Sequence, residues 1–191
     1  MKKLYVLLII VAGLILGSGV AIYRITHLTD KEASIVNGSW MGQNLGEVGN
    51  DHLLTARVAV AALFALNPKE VIYLVAKSDA KGNELTSEND YVVKGVPLDA
   101  LYWSITFYDD DYFLIPNEEN RYSFNVHNVK YENDSSFVIH VSSHRKDHNW
   151  LPSGTGGKFY LVLRMYVPGA SVYNHLKEVQ LPTIEKVKRY Q

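Results

Sequence analysis

Hydrophobic positions follow three patterns along this chain. From Leu4 to Tyr23 they form a nearly continuous run, LYVLLIIVAGLILGSGVAIY; from Asn50 to Leu66 they recur at helical spacing; from Glu70 onward they alternate with polar residues at a period of two. Each pattern predicts a different kind of element.

The first run is twenty residues without a charge, about 30 Å of helix, which matches the hydrocarbon core of a bilayer. Residues 1–24 are therefore expected to be a membrane anchor that meets the lipid bilayer through Leu4 to Tyr23. A cleaved signal peptide is the competing expectation, with Lys2 and Lys3 as its basic start, Leu4 to Leu16 as its apolar stretch and Gly17-Ser18-Gly19 near a cut. Apolar residues resume at Val20, Ala21 and Ile22, and Tyr23 and Arg24 suit an interfacial end, which favours the anchor. Both readings export the remainder. Lys2, Lys3 and the α-amino group put the N-terminus in the cytoplasm and the rest outside it, periplasmic or at the cell surface.

Residues 25–36 are polar and lack a sustained period, so they are read as a stalk, followed by a β-rich extracytoplasmic domain over 37–191. Within it, Asn50 and Asp51 are good N-caps for HLLTARVAVAALFAL, where Leu54, Val58, Ala61 and Ala65 share a face. One main helix is expected there, stopped by Asn67-Pro68. Six strands are expected next: EVIYLVAK, DYVVKGV, LYWSITFYD, RYSFNV, SFVIHVSS and KFYLVLRMYV. Short strands at this spacing predict a mainly β sandwich or barrel-like domain.

Alternation assigns faces, because successive strand side chains point to opposite sides. Trp103, Ile105 and Phe107 are expected in the core, as are Phe137, Ile139 and Val141, and Phe159, Leu161, Leu163 and Met165. The opposite sides hold Tyr102, Ser104, Thr106 and Tyr108; Val138, His140 and Ser142; and Tyr160, Val162, Arg164 and Tyr166. Such a surface is either an ordinary sheet face, solvated or covered by the 50–66 helix, or a shallow site where tyrosine rings stack on a ligand and Arg164 contacts an anionic or hydroxyl-rich group. Asp109 is the partner first expected for the Arg164 guanidinium.

Composition narrows the chemistry. Nineteen basic and twenty acidic residues leave a net charge of −1, with no positive excess to bind nucleic acid. The absence of cysteine excludes disulfides, thiolate metal sites and cysteine nucleophiles. In HNWLPSGTGGKFYLVLRMY, Lys158 is followed by Phe159 and a strand rather than by a hydroxyl residue and a helix, so this is not a phosphate cradle. Its glycines are read as positive-φ residues, and Trp150 either caps the core or borders a binding rim. His144 and His148 are four apart but lie in a loop, and Asp109-Asp110-Asp111 reads as a turn. No metal or cofactor is expected. Asn37-Gly38-Ser39 and Asn133-Asp134-Ser135 fit the glycosylation sequon.

The succession LYWSITFYD, LIPNEENRYSF, NWLP and FYLVLRMYVP resembles the family known as domain of unknown function 1214, over about Trp40 to Val187. The resemblance implies a jelly-roll-like β-sandwich and, in short members with an N-terminal membrane helix, an envelope protein without a settled activity. Longer relatives carry a companion domain, filed under 1254, which is not expected here. The matching signature positions are Trp103, Asp109, Asn117, Arg121, Tyr122, Asn149, Trp150, Leu151, Pro152, Arg164 and Tyr166. They suit either a buried polar network or a pocket lining. Three functions are therefore expected in turn: an accessory or binding module for an envelope glycan or anionic small ligand, a glycan or ester hydrolase using Asp109 or a histidine, and a purely structural protein.

Overall fold

A computed structural model describes residues 2–27, 34–43, 66–154 and 156–188. The chain divides into two compact units, Met1–Ala33 with Asn44–Asn67, and Ser34–Gln43 with Pro68–Gln191. In the first, α1 spans Lys2–His27. It is long and apolar enough to cross a membrane, and its side chains are exposed from Lys2 to Tyr23. A signal sequence satisfies the same criterion. The helix expected over 50–66 lies outside the described residues apart from its last position.

The second unit is mainly β. Its strands are β1 (Ser34–Asn37), β2 (Trp40–Gln43), β3 (Val71–Ala76), β4 (Asp90–Gly95), β5 (Ala100–Asp109), β6 (Ser123–Asn125), β7 (Phe137–Ser142), β8 (Asn149–Pro152), β9 (Phe159–Pro168) and β10 (Thr183–Val187), with a short helix α2 (Ala170–Asn174) between the last two. They form a six-stranded sheet in the order β1-β2-β3-β9-β5-β6 and a four-stranded sheet in the order β10-β4-β7-β8. Every pairing is antiparallel except β7 with β8.

The alternating positions become the core as expected. Trp103, Ile105, Leu161, Leu163 and Met165 of the large sheet meet Tyr91, Val93, Phe137, Ile139 and Val141 of the small one, all nearly or fully buried. Aromatic contacts join the sheets: Trp103 stacks on Phe137 with centroids 5.0 Å apart, and Tyr91 meets Phe159 edge-on at 5.6 Å. Phe137 also fixes the neighbouring strand. A Cβ on Gly95 would lie 2.6 Å from its ring, so glycine is required there.

The six predicted strands are present, and the described residues hold four others that are not among those predicted. β1 begins at Ser34, inside the segment expected to be a stalk, because Ile35 packs against the core and the chain turns back at Gly38-Ser39. Gly38 takes φ +59°, the positive φ that a two-residue hairpin loop requires at its first position, here filled by Gly38-Ser39. Asn37 meanwhile donates from Nδ2 to the carbonyls of Leu176 and Val179 at 2.9 and 2.7 Å. β8 is only NWLP, but all four residues are buried. β10 buries Ile184 alone among mostly exposed neighbours, too weak an alternation to stand out.

Phe137→Ala removes the ring that spans the two sheets, and the expected loss of stability is about 3–5 kcal/mol. Tryptophan fluorescence across a urea series on the detergent-solubilised full chain measures it; a loss below about 1 kcal/mol would contradict this packing.

Candidate functional site

The central strands β9 and β5 turn one side chain in two away from the core. Their register sets Tyr102 opposite Tyr166, Ser104 opposite Arg164, Thr106 opposite Val162 and Tyr108 opposite Tyr160. On the other flank of β9, Tyr73 of β3 stands opposite Arg164. The outer face of the large sheet is therefore a tyrosine field with one arginine near its middle.

Arg164 is half-buried. Its Nη1 donates to Thr106 Oγ1 at 2.9 Å, its Nη2 donates to Tyr108 Oη at 2.7 Å, and its guanidinium carbon lies 5.4 Å from the Tyr108 ring centroid. Two hydroxyls thus orient the fork without neutralising it. The expected Asp109–Arg164 pair does not form. Asp109 falls on the odd positions of β5 with Trp103, Ile105 and Phe107, whereas Arg164 shares the even side with Tyr102 and Tyr108. Asp109 Oδ1 instead accepts from the amides of Asp111 and Phe113, at 3.0 and 2.7 Å, and shapes the turn. That role does not favour Asp109 as a general acid.

Rings gather on both flanks of the arginine. On one, Tyr166 meets Tyr73 at 6.3 Å and Tyr102 at 5.9 Å, and His127 lies 5.8 Å from Tyr102. Burial, and then a hydrogen bond with Tyr166, raise the Tyr73 hydroxyl above its ordinary value. On the other, Tyr160 donates to Asp110, which pushes its hydroxyl up to about 12. The Lys77 ammonium sits 4.8 Å from the Tyr160 centroid and 5.9 Å from that of Tyr112, within cation–π reach.

The remaining signature residues are elsewhere, and the structure does not unite them into one site. Trp103 is core. Asn117 closes the 115–121 loop, donating to the carbonyls of Ile115 and Arg121 at 3.2 and 3.0 Å and accepting from the Arg121 amide at 3.0 Å. Arg121 covers Phe124 at 5.6 Å and reaches the Trp150 carbonyl at 3.4 Å. The Tyr122 carbonyl accepts from the Phe107 amide at 3.0 Å. Asn149 is buried and acts as a false strand: Oδ1 accepts from the Lys130 amide at 2.7 Å, and Nδ2 donates to the Lys130 and Val138 carbonyls at 2.8 and 3.0 Å. Trp150 is 8% exposed and donates from Nε1 to the Ser142 carbonyl at 2.9 Å, so it caps the core and does not form a rim. Gly154 and Gly157 have φ +66° and +87°, the positive values expected of this loop.

Sequence reasoning missed two features. Asp90 is buried at the start of β4, where it accepts from Ser142 Oγ at 2.9 Å and lies 3.0 Å from Lys146 Nζ; Lys146 belongs to the loop noticed only for its histidines. An open cavity of about 400 Å³ also lies between residues 96–99 and 171–180, bordered by Pro97, Asp99, His175 and Glu178. Among the described residues, no group of three or more histidines and carboxylates is placed to hold a metal ion.

Two outcomes follow from this geometry. Arg164→Ala and Asp109→Ala are expected to destabilise additively, within about 0.5 kcal/mol, because they share no contact; a coupling above about 2 kcal/mol in a double-mutant cycle would restore the ion pair. A raised tyrosine value favours the neutral hydroxyl in the fold, so the Tyr160 contribution is complete below the unfolded value near 10 and is lost as pH rises toward about 12. Carbon-13 NMR of labelled tyrosines checks this, and Asp110→Asn is expected to return Tyr160 toward 10; an unchanged titration would remove Asp110 as the cause.

Among solved structures, the chain is similar to the VPA0106 protein from Vibrio parahaemolyticus, with 26% identity and a TM-score of 0.69 over 90% of this chain and 44% of that one. It thus spans less than half the length of that protein. An uncharacterized protein from Burkholderia cenocepacia aligns at 16% identity and a TM-score of 0.44, over 65% of this chain and 31% of that one. No curated protein matches. Residues 70–170, which hold the central strands, the tyrosine field and every signature position, match the family described as protein of unknown function (DUF1214), and the chain belongs to that family.

Proposed function

We propose that this protein is a single-pass, membrane-anchored protein of the cell envelope whose extracytoplasmic β-domain is a binding module. Residues 1–24 serve as the anchor, with the N-terminus in the cytoplasm. The working surface is the outer face of the large sheet, and its ligand is a hydroxyl-rich or anionic saccharide.

The observation that carries this reading is Arg164 among half-exposed tyrosines. Among the described residues its guanidinium is held by two hydroxyls and paired with no carboxylate, so positive charge is available to a ligand carboxylate or phosphate. The rings of Tyr102, Tyr108, Tyr160 and Tyr166 supply apolar area with a polar tip, a combination suited to sugar rings that present C–H on one face and hydroxyls at the edge. A broad sheet face fits an extended chain better than a small metabolite, which needs a concave pocket.

Isothermal titration of the full chain in nanodiscs, with a uronate oligosaccharide and a neutral one of equal length, tests the proposal. The uronate is expected to bind more tightly, Arg164→Ala to erase that preference, and Tyr166→Ala to weaken both on the order of tenfold. Unchanged binding by both variants would reject this face.

A further inference from the structure

The large sheet carries an exposed apolar tip at one end. Leu101 is 76% exposed and Val167 is 55% exposed. They occupy adjoining strands, between the Ala100–Pro168 and Tyr102–Tyr166 pairs. Val167 has φ +47°, a left-handed conformation that is an outlier for a β-branched residue. Its amide donates to the Glu70 carbonyl at 2.8 Å, which holds the kink in place. A strained backbone that presents a valine to solvent beside a bare leucine is the kind of arrangement that persists where a surface has a use.

Strand direction supplies the partner. β1 starts at Ser34 opposite Gln43, where β2 stops, and the β2–β3 register runs from Trp40–Ala76 back toward Val71. Val71 pairs with Tyr166, which in turn pairs with Tyr102. The start of β1, the stop of β2 and the start of β3 are therefore all directed to the end that bears Leu101 and Val167. α1 ends at His27 and β1 starts at Ser34, so the connection reaches at most about 25 Å when extended. Only the start of β1 and this short length of chain separate the anchor expected at α1 from the strand ends on this side of the sheet.

We propose that Leu101 and Val167 rest in the bilayer interface, with Tyr102 and Tyr166 bordering them at headgroup depth, as amphipathic rings do. This rests on the anchor reading. The tip turns the domain so that the edge of the tyrosine field nearest Tyr166 lies at the membrane and the Tyr160 edge points away.

The chain has no cysteine, so single labelling sites can be introduced in the full protein. Leu8→Cys, Leu101→Cys, Val167→Cys and Phe113→Cys, each carrying an environment-sensitive fluorophore, are reconstituted in phosphatidylcholine vesicles with nitroxide-bearing lipids. Phe113 is the control, being 70% exposed beyond the opposite end of β5. Labels at 101 and 167 are expected to be quenched by shallow nitroxides at least threefold more than the label at 113. Equal quenching at 101, 167 and 113, whether high or low, overturns the tip. A label at Leu8 that deep nitroxides leave unquenched overturns the anchor reading itself, and the tip with it.

Discussion

The register between β5 and β9 is the constraint on which the rest of the domain depends. The two ten-residue strands pair from Ala100–Pro168 to Asp109–Phe159. Because side chains alternate, a slip of one residue would send Trp103, Leu163 and Met165 to the solvent and bring Arg164 and the tyrosines into the core. One pairing therefore sets both the packing against the small sheet and the composition of the outer face. The Trp103–Phe137 stack secures the inner side, and the hydroxyls of Thr106 and Tyr108 secure the arginine on the outer side.

Much of this was legible in the chain because the long strands alternate strictly. Six strands, the core faces and the tyrosine side follow from period two alone. What escaped was short or satisfied by distant groups. NWLP is too short to show a period, and its membership in a sheet depends on pairing with β7 through Ile139–Asn149. Asn149 is open in the chain between a structural amide and a pocket lining, and only its pairing with Lys130 and Val138 makes it structural. The β1–β2 hairpin carried its own signal in the Gly38-Ser39 loop between Asn37 and Trp40, which a glycosylation reading of Asn37-Gly38-Ser39 obscured.

The Arg164–Asp109 expectation is instructive in the other direction. Both residues lie in tyrosine-rich strands, which suggested a pair, but Asp109 is at an odd position of β5 and the residues facing Arg164 are at even ones. Strict alternation along β5 and β9 excludes the contact. With that pair removed, the signature residues sort by mechanics: Asp109, Asn117 and Arg121 build the loops, Trp103, Asn149 and Trp150 build the core and its caps, and Arg164 and Tyr166 remain on the face.

The central claim is that the outer face of the large sheet is the surface this protein uses. Hydroxyl-radical footprinting of tyrosines, on the chain in native envelopes and on the purified chain in detergent, tests it most directly. The account expects Tyr102, Tyr160 and Tyr166 to be protected in the envelope relative to detergent, while Tyr131, exposed but away from this face, is modified equally in both. Equal modification of the face tyrosines in the two preparations, or protection confined to Tyr131, would contradict it.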